Sequence, residues 1–98
     1  MKEVMSLMNN IAEQERIINE SRKETEKLVK DQERYRRNME ILHVNNPKES
    51  EKRAEYLERL TKIEGKLETL DQTIRESTEK QRNIRQELNQ MIQGFTEE

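Results

Sequence analysis

The sequence predicts an all-α fold: one long antiparallel two-helix coiled-coil hairpin. Three observations predict it. Strong helix formers (Glu, Lys, Arg, Gln, Leu, Met) dominate the chain. The only proline, Pro47, stands almost midway in 98 residues, within a cluster of turn-forming residues. Apolar residues recur on both sides of that cluster at alternating spacings of three and four, the signature of a helical face packed on another helix.

The first helix is expected over residues 2–43, with a seam of Val4, Met8, Ile11, Glu15, Ile18, Arg22, Thr25, Val29 and Gln32. Near the turn this stripe drifts to Leu28, Tyr35, Met39 and Leu42, which locally changes a supercoil. The turn is expected at 44–46, inside His43-Val44-Asn45-Asn46-Pro47. Asn tolerates the left-handed conformation that closes a helix. Asn46 is also a good N-cap, Pro47 suits the first helical position, and Glu49 stands three after the cap. The second helix then runs over 47–94, with a seam of Leu60, Ile63, Leu67, Leu70, Ile74, Ser77, Gln81, Ile84, Leu88, Met91 and Phe95.

Folding about Asn46 pairs positions whose numbers sum to 92. Val4 then meets Leu88, Met8 meets Ile84, Ile18 meets Ile74, Thr25 meets Leu67 and Val29 meets Ile63. Ile11 faces Gln81, Glu15 faces Ser77, Gln32 faces Leu60, and Arg22 covers Leu70 with its stem while its head snorkels. Outside the seam, an acid precedes a base by four at Glu26/Lys30, Glu33/Arg37, Glu49/Arg53, Glu55/Arg59, Glu58/Lys62, Asp71/Arg75 and Glu76/Lys80, a pattern of water-facing helix surface.

Composition narrows the function. Charged residues make up 41% and hydrophobic ones 30%, too few to build a thick globular core. Nineteen Lys and Arg nearly balance 21 Asp and Glu, leaving a net charge of -2. That balance argues against disorder and against nucleic acid as a main partner, since that binding needs a basic excess, so no nucleic acid is expected. There is no cysteine, hence no disulfide and no thiolate ligand or nucleophile. No apolar run is long enough to cross a bilayer, so no transmembrane segment is expected, and residues 1–8 are too polar for a signal-peptide core. The lone His43 has no second His or Cys with which to share a metal. No phosphate loop, Ser/His/Asp set or HExxH motif occurs. A thin hairpin offers no pocket in which a carboxylate pair could be desolvated. No enzyme, cofactor or metal is therefore expected.

The candidate interaction residues are Arg34, Arg36, Arg37 and Asn38, with Arg53 across the turn. The arginines either grip an acidic partner or form a solvated face neutralised by Asp31, Glu33, Glu40 and Glu49. Tyr35 and Tyr56 are expected to pack nearby, with Arg36 stacked on Tyr56. Met1, Met5, Met8, Met39 and Met91 fill the seam or form an adaptable surface. Gly65 falls on the outside of the second helix, where it leaves room for a neighbour. Ile17, Leu7, Leu28, Leu57, Ile41 and Ile92 lie beside the seam and widen the stripe beyond what a lone pair needs. The expected partner is protein. Two hairpins pair as a homodimeric four-helix bundle, or the hairpin docks on another domain of its parent protein.

The stretch Asp31-Gln32-Glu33-Arg34-Tyr35-Arg36-Arg37-Asn38-Met39, followed by a short turn, and the ending Leu88-Asn89-Gln90-Met91-Ile92 resemble a known pattern. They are similar to the C-terminal helical hairpin of an uncharacterised bacterial family related to the mucoidy inhibitor A proteins, with its DQxRxRxNM and LNxMI stretches. The similarity covers most of the chain, and the first stretch is its specific part. It implies a hairpin projecting from a β-rich domain, in an envelope-associated or secreted bacterial protein. The present chain, which has no such domain, would then be a fragment of a larger protein. It brings no catalytic residues. It implies that Gln32, Arg34, Arg36 and Asn38 orient the turn-proximal end through hydrogen bonds across the seam. The expected function is a non-catalytic structural or assembly element: a stalk, a spacer or an oligomerisation hairpin. The alternative is a protein-binding module such as a helical adaptor or chaperone-like hairpin.

Overall fold

In a computed structural model that describes residues 2–43 and 45–96, the chain is an all-α helical hairpin of two helices, α1 (Lys2–Glu40) and α2 (Pro47–Thr96). Met1 and Val44, the latter in the expected turn, lie outside the described residues.

The end of α1 comes three residues before the expected position 43. Leu42 N–H closes on the Met39 carbonyl at 3.1 Å, a tightened last turn, and His43 N–H donates instead to Glu49 Oε2 at 2.9 Å. Those two donors have left the helical ladder. Asn46 caps α2: its Oδ1 accepts from Lys48 N at 3.0 Å and Glu49 N at 3.5 Å, and its carbonyl accepts from Ser50 N at 2.8 Å. Glu49 does not return to the cap's own N–H, as it would in a capping box; its carboxylate reaches back to His43. Asn46 N–H donates to the His43 carbonyl at 3.2 Å. No described non-glycine residue has a positive φ, so no left-handed asparagine ends α1. α2 passes through Gly94 and ends at Thr96, two residues beyond the expected end.

The helices bury a single stripe. On α1 it is Val4, Leu7, Ile11, Gln14, Ile18, Ser21, Thr25, Leu28, Gln32, Tyr35 and Met39, continued by Leu42 in the turn. This corrects the expected seam. Met8, Glu15, Arg22 and Val29 are exposed, and the residue before each is the one turned inward. The layers drawn for those four fall with them. The reason is chemical: the observed phase buries neutral Gln14 and Ser21, whereas the expected one would have desolvated the charges of Glu15 and Arg22. In the observed phase the stripe runs from Val4 to Leu42 without drift. On α2 the expected positions from Leu60 to Met91 are buried or half-buried, and Glu49, Arg53 and Tyr56 extend the row towards the turn. Phe95 is 63% exposed; no described α1 residue stands opposite it in a register summing to 92. Leu7 and Leu28, expected beside the seam, are part of it, whereas Leu57, Ile41 and Ile92 are exposed.

The chain forms two compact units, Met1–Arg22 with Asp71–Glu98, and Lys23–Leu70. In the first, Gln81 Nε2 donates to the Ile11 carbonyl at 3.3 Å, which ties the helices at positions summing to 92. Its buried residues are mostly polar: Gln14, Ser21 and Ser77 beside Ile18. Gln14 Nε2 donates to Asn10 Oδ1 at 3.2 Å, while its Oε1 is buried without a partner. The second unit has the apolar core, Leu28, Leu60 and Ile63, and the Tyr35 and Tyr56 rings meet at 5.6 Å with a 39° tilt. On the side of the seam residues that precede Thr25 and Gln32, Glu24 shares a groove with Lys66, and Asp31 shares one with Arg59. No described side chain in either unit is fully buried.

Gly65 is an exposed residue in the middle of α2, and a Cβ built on it would meet nothing within 4 Å. Gly65→Ala should therefore stabilise the fold by about 0.5–1 kcal/mol through helix propensity alone. Thermal unfolding of the two chains measures it.

Candidate functional site

The turn-proximal part of the second unit holds the expected interaction residues, and the structure separates them. Tyr35 and Tyr56 come together because each occupies the buried stripe of its helix. Arg59, three residues after Tyr56, stands over both rings at 5.6 Å and 5.8 Å, and Arg34 stands over Tyr35 at 5.2 Å. Arg34 also approaches Asp31 at 3.6 Å. The expected stack of Arg36 on Tyr56 is thus made by Arg59 instead. Arg36 follows Tyr35 on the other flank of α1, where it lines a shallow groove with Met39, Glu40, Leu42, Arg53 and Leu60.

Arg37 points outward and donates to Glu33 at 2.6 Å. That hydrogen bond, with the attraction between the two charges, holds the Glu33 carboxyl below its ordinary value and raises the Arg37 guanidinium. Asn38 is half-buried beside the stripe. The cross-helix hydrogen bonds implied for Gln32, Arg34, Arg36 and Asn38 are not present among the described residues. Bonds that link the two chain halves include those from Gln81 to Ile11 and from His43 to Glu49. Of the four, only Gln32 lies in the stripe itself.

The expected acid–base pairs form at Glu33/Arg37, at Glu58/Lys62 (3.8 Å) and at Asp71/Arg75 (3.1 Å). Glu26/Lys30 does not form an ion pair among the described residues, and at the other three expected pairs one member has a different partner. Glu49 takes the His43 N–H, Arg59 takes the tyrosine rings, and Glu76 accepts from Gln72 at 3.2 Å. The pattern of an acid four residues before a base also missed a three-membered cluster on α1, in which Arg16 bridges Glu13, three before it, at 2.5 Å and Glu20, four after it, at 2.9 Å. Glu79 pairs with Arg82 at a spacing of three. Met39 and Met91 fill the stripe, while Met5 and Met8 are exposed.

Glu13, like Glu33, is held below its ordinary value of 4.5, chiefly by its hydrogen bond to Arg16. A carboxyl whose folded pKa lies below its unfolded one stabilises the fold above the unfolded pKa. That contribution is lost as pH falls through the folded value. Melting temperature at low salt should therefore decline as pH falls below about 4.5, and Glu13→Gln with Glu33→Gln should flatten the decline.

Among the described residues, no group of three or more His, Asp and Glu side chains could hold a metal ion, and no helix is long and apolar enough to cross a membrane. Compared with protein families, curated proteins and solved structures, the chain matches none.

Proposed function

We propose that this chain is a non-catalytic coiled-coil element whose work is structural: a stalk, spacer or assembly hairpin that acts on other protein. The observation that carries the reading is the buried stripe, alternating in threes and fours along both helices, with no fully buried side chain among the described residues. Such a pair holds a shape but leaves apolar surface for a further protein layer. The resemblance to mucoidy-inhibitor-A-related hairpins adds a setting to this proposal, a projection from a β-rich domain at the bacterial envelope.

Circular dichroism of the chain alone tests the reading. A structural element gives a helical spectrum that melts cooperatively with nothing added. A coil-like spectrum that becomes helical only with a partner would overturn it in favour of a binding module. One observation favours that second reading: Met5, Met8 and Phe95 are all exposed in the unit that holds the start of α1 and the end of α2.

A further inference from the structure

We propose that a second copy of this chain covers the grooved side of the second unit. The two copies are related by a twofold axis running along the helices, so that α1 of each lies on α2 of the other. This rests on the assembly reading above and narrows it to a partner, a face and an arrangement. Every residue concerned lies within Lys23–Leu70. Two adjoining grooves, which share Leu28, Lys62 and Lys66, run between the helices on this side. Leu28, Ile63 and Leu70 give them an apolar floor. Gly65 leaves the α2 edge of the larger one, about 470 Å³, without a side chain. Apolar floor left open to water is stabilised by a further layer of protein.

Charge indicates what that layer is. The charged residues that line the grooves are segregated by helix: Glu24 and Asp31 on α1, Arg59, Lys62 and Lys66 on α2. Across a twofold axis the same patch faces itself, which leaves two ways to stack the units. With the axis across the helices, α1 lies on α1 and α2 on α2. The acids lining one groove then meet acids, and the bases meet bases, at every offset that overlaps the grooves. With the axis along the helices, each acidic edge lies on a basic one. No register is chosen, because rotation about that axis leaves every residue at its own level. In this unit the Tyr35–Tyr56 ring pair sets positions summing to 91 level. Glu24 thus comes within one residue of level with Lys66 of the second copy, and Asp31 with Arg59. Of the bases on that side of α1, Arg34 comes level with Glu58 in the same way. Lys27, the adverse one, comes level with Gly65, between Lys62 and Lys66. Within the chain Asp31 is approached by Arg34 at 3.6 Å and Lys62 by Glu58 at 3.8 Å. Glu24 and Lys66 form no ion pair among the described residues, which leaves both charges to the second copy.

Native mass spectrometry of the chain, of Lys66→Glu and of Glu24→Lys with Lys66→Glu tests the proposal. The unsubstituted chain should be a dimer. The single change sets acid on acid twice by symmetry and should raise the dimer Kd about tenfold or more. The double change should restore the dimer, because the pair is only exchanged, within each copy as well as between copies. Both positions are exposed, so helical content should not change. Mixing isotope-labelled unsubstituted chain with the double variant then reads the arrangement. A mixed dimer along the proposed axis sets base on base and acid on acid, so the two chains should sort into their own dimers. The crossed axis predicts the reverse, an excess of mixed dimers. A monomer mass, a single variant that dimerises normally, a double variant that does not recover, or mixed dimers at or above the random half would each overturn the proposal. A monomer that still melts cooperatively would overturn it while leaving the structural reading intact.

Discussion

Leu28→Ala should destabilise the fold by about 2–4 kcal/mol and lower the melting temperature by roughly 10 °C or more. Leu28 is only 6% exposed, and it lines both grooves of the second unit that lie beside Lys62 and Lys66. Replacing its isobutyl group by methyl deletes buried area in the small apolar core that Leu28 forms with Leu60 and Ile63, so little remains to collapse into the space. The neighbouring Val29→Ala, at a position 46% exposed, should change stability by less than about 0.5 kcal/mol at dilutions where the chain is monomeric. The contrast between adjacent positions reads the phase of α1 directly. Equal losses at the two positions would mean that the stripe is misplaced.

Gln14→Leu should act in the opposite direction and stabilise the chain by about 1–3 kcal/mol. Gln14 is 8% exposed, and its Oε1 is buried with no hydrogen-bond partner. Leucine has similar volume, removes the unpaired acceptor and adds apolar contact with a first unit that is mostly polar inside. Urea unfolding of both chains measures the difference. A polar residue at such a position is often kept because it fixes register, at a cost in stability. The same variant should therefore loosen the register, visible as extra resonances or a broadened spectrum, even as its midpoint rises.

The hairpin was legible from the helix formers and the Asn46-Pro47 turn, and the stripe of α2 from its large aliphatic residues between Leu60 and Met91. The stripe of α1 was half legible. Val4, Ile11, Ile18, Thr25 and Gln32 belong to it, but the intervening row was placed one residue late because Met8 and Val29 are apolar. Gln14 and Ser21 give no hydrophobic signal, and the deciding fact is that their neighbours Glu15 and Arg22 carry charge that is costly to bury. Asking which of two adjacent polar residues is neutral would have found the phase. The basic cluster was legible as composition and not as geometry. Arg34, Arg36 and Arg37 are consecutive or nearly so, and a helix turns such residues to different sides. Arg59 stands over both rings, beside Arg34 over Tyr35, and its spacing of three from Tyr56 was the available signal.

The hairpin register is tested most directly by the two tyrosines, the chain having no others, no tryptophan and a single phenylalanine. Their ring centroids are 5.6 Å apart although 21 positions separate them in sequence. Nuclear Overhauser spectra should show cross-peaks between the Tyr35 and Tyr56 ring protons, and these should persist when labelled chain is diluted with unlabelled chain, which marks them as intramolecular. Absence of those cross-peaks in a sample whose circular dichroism is helical would contradict the fold.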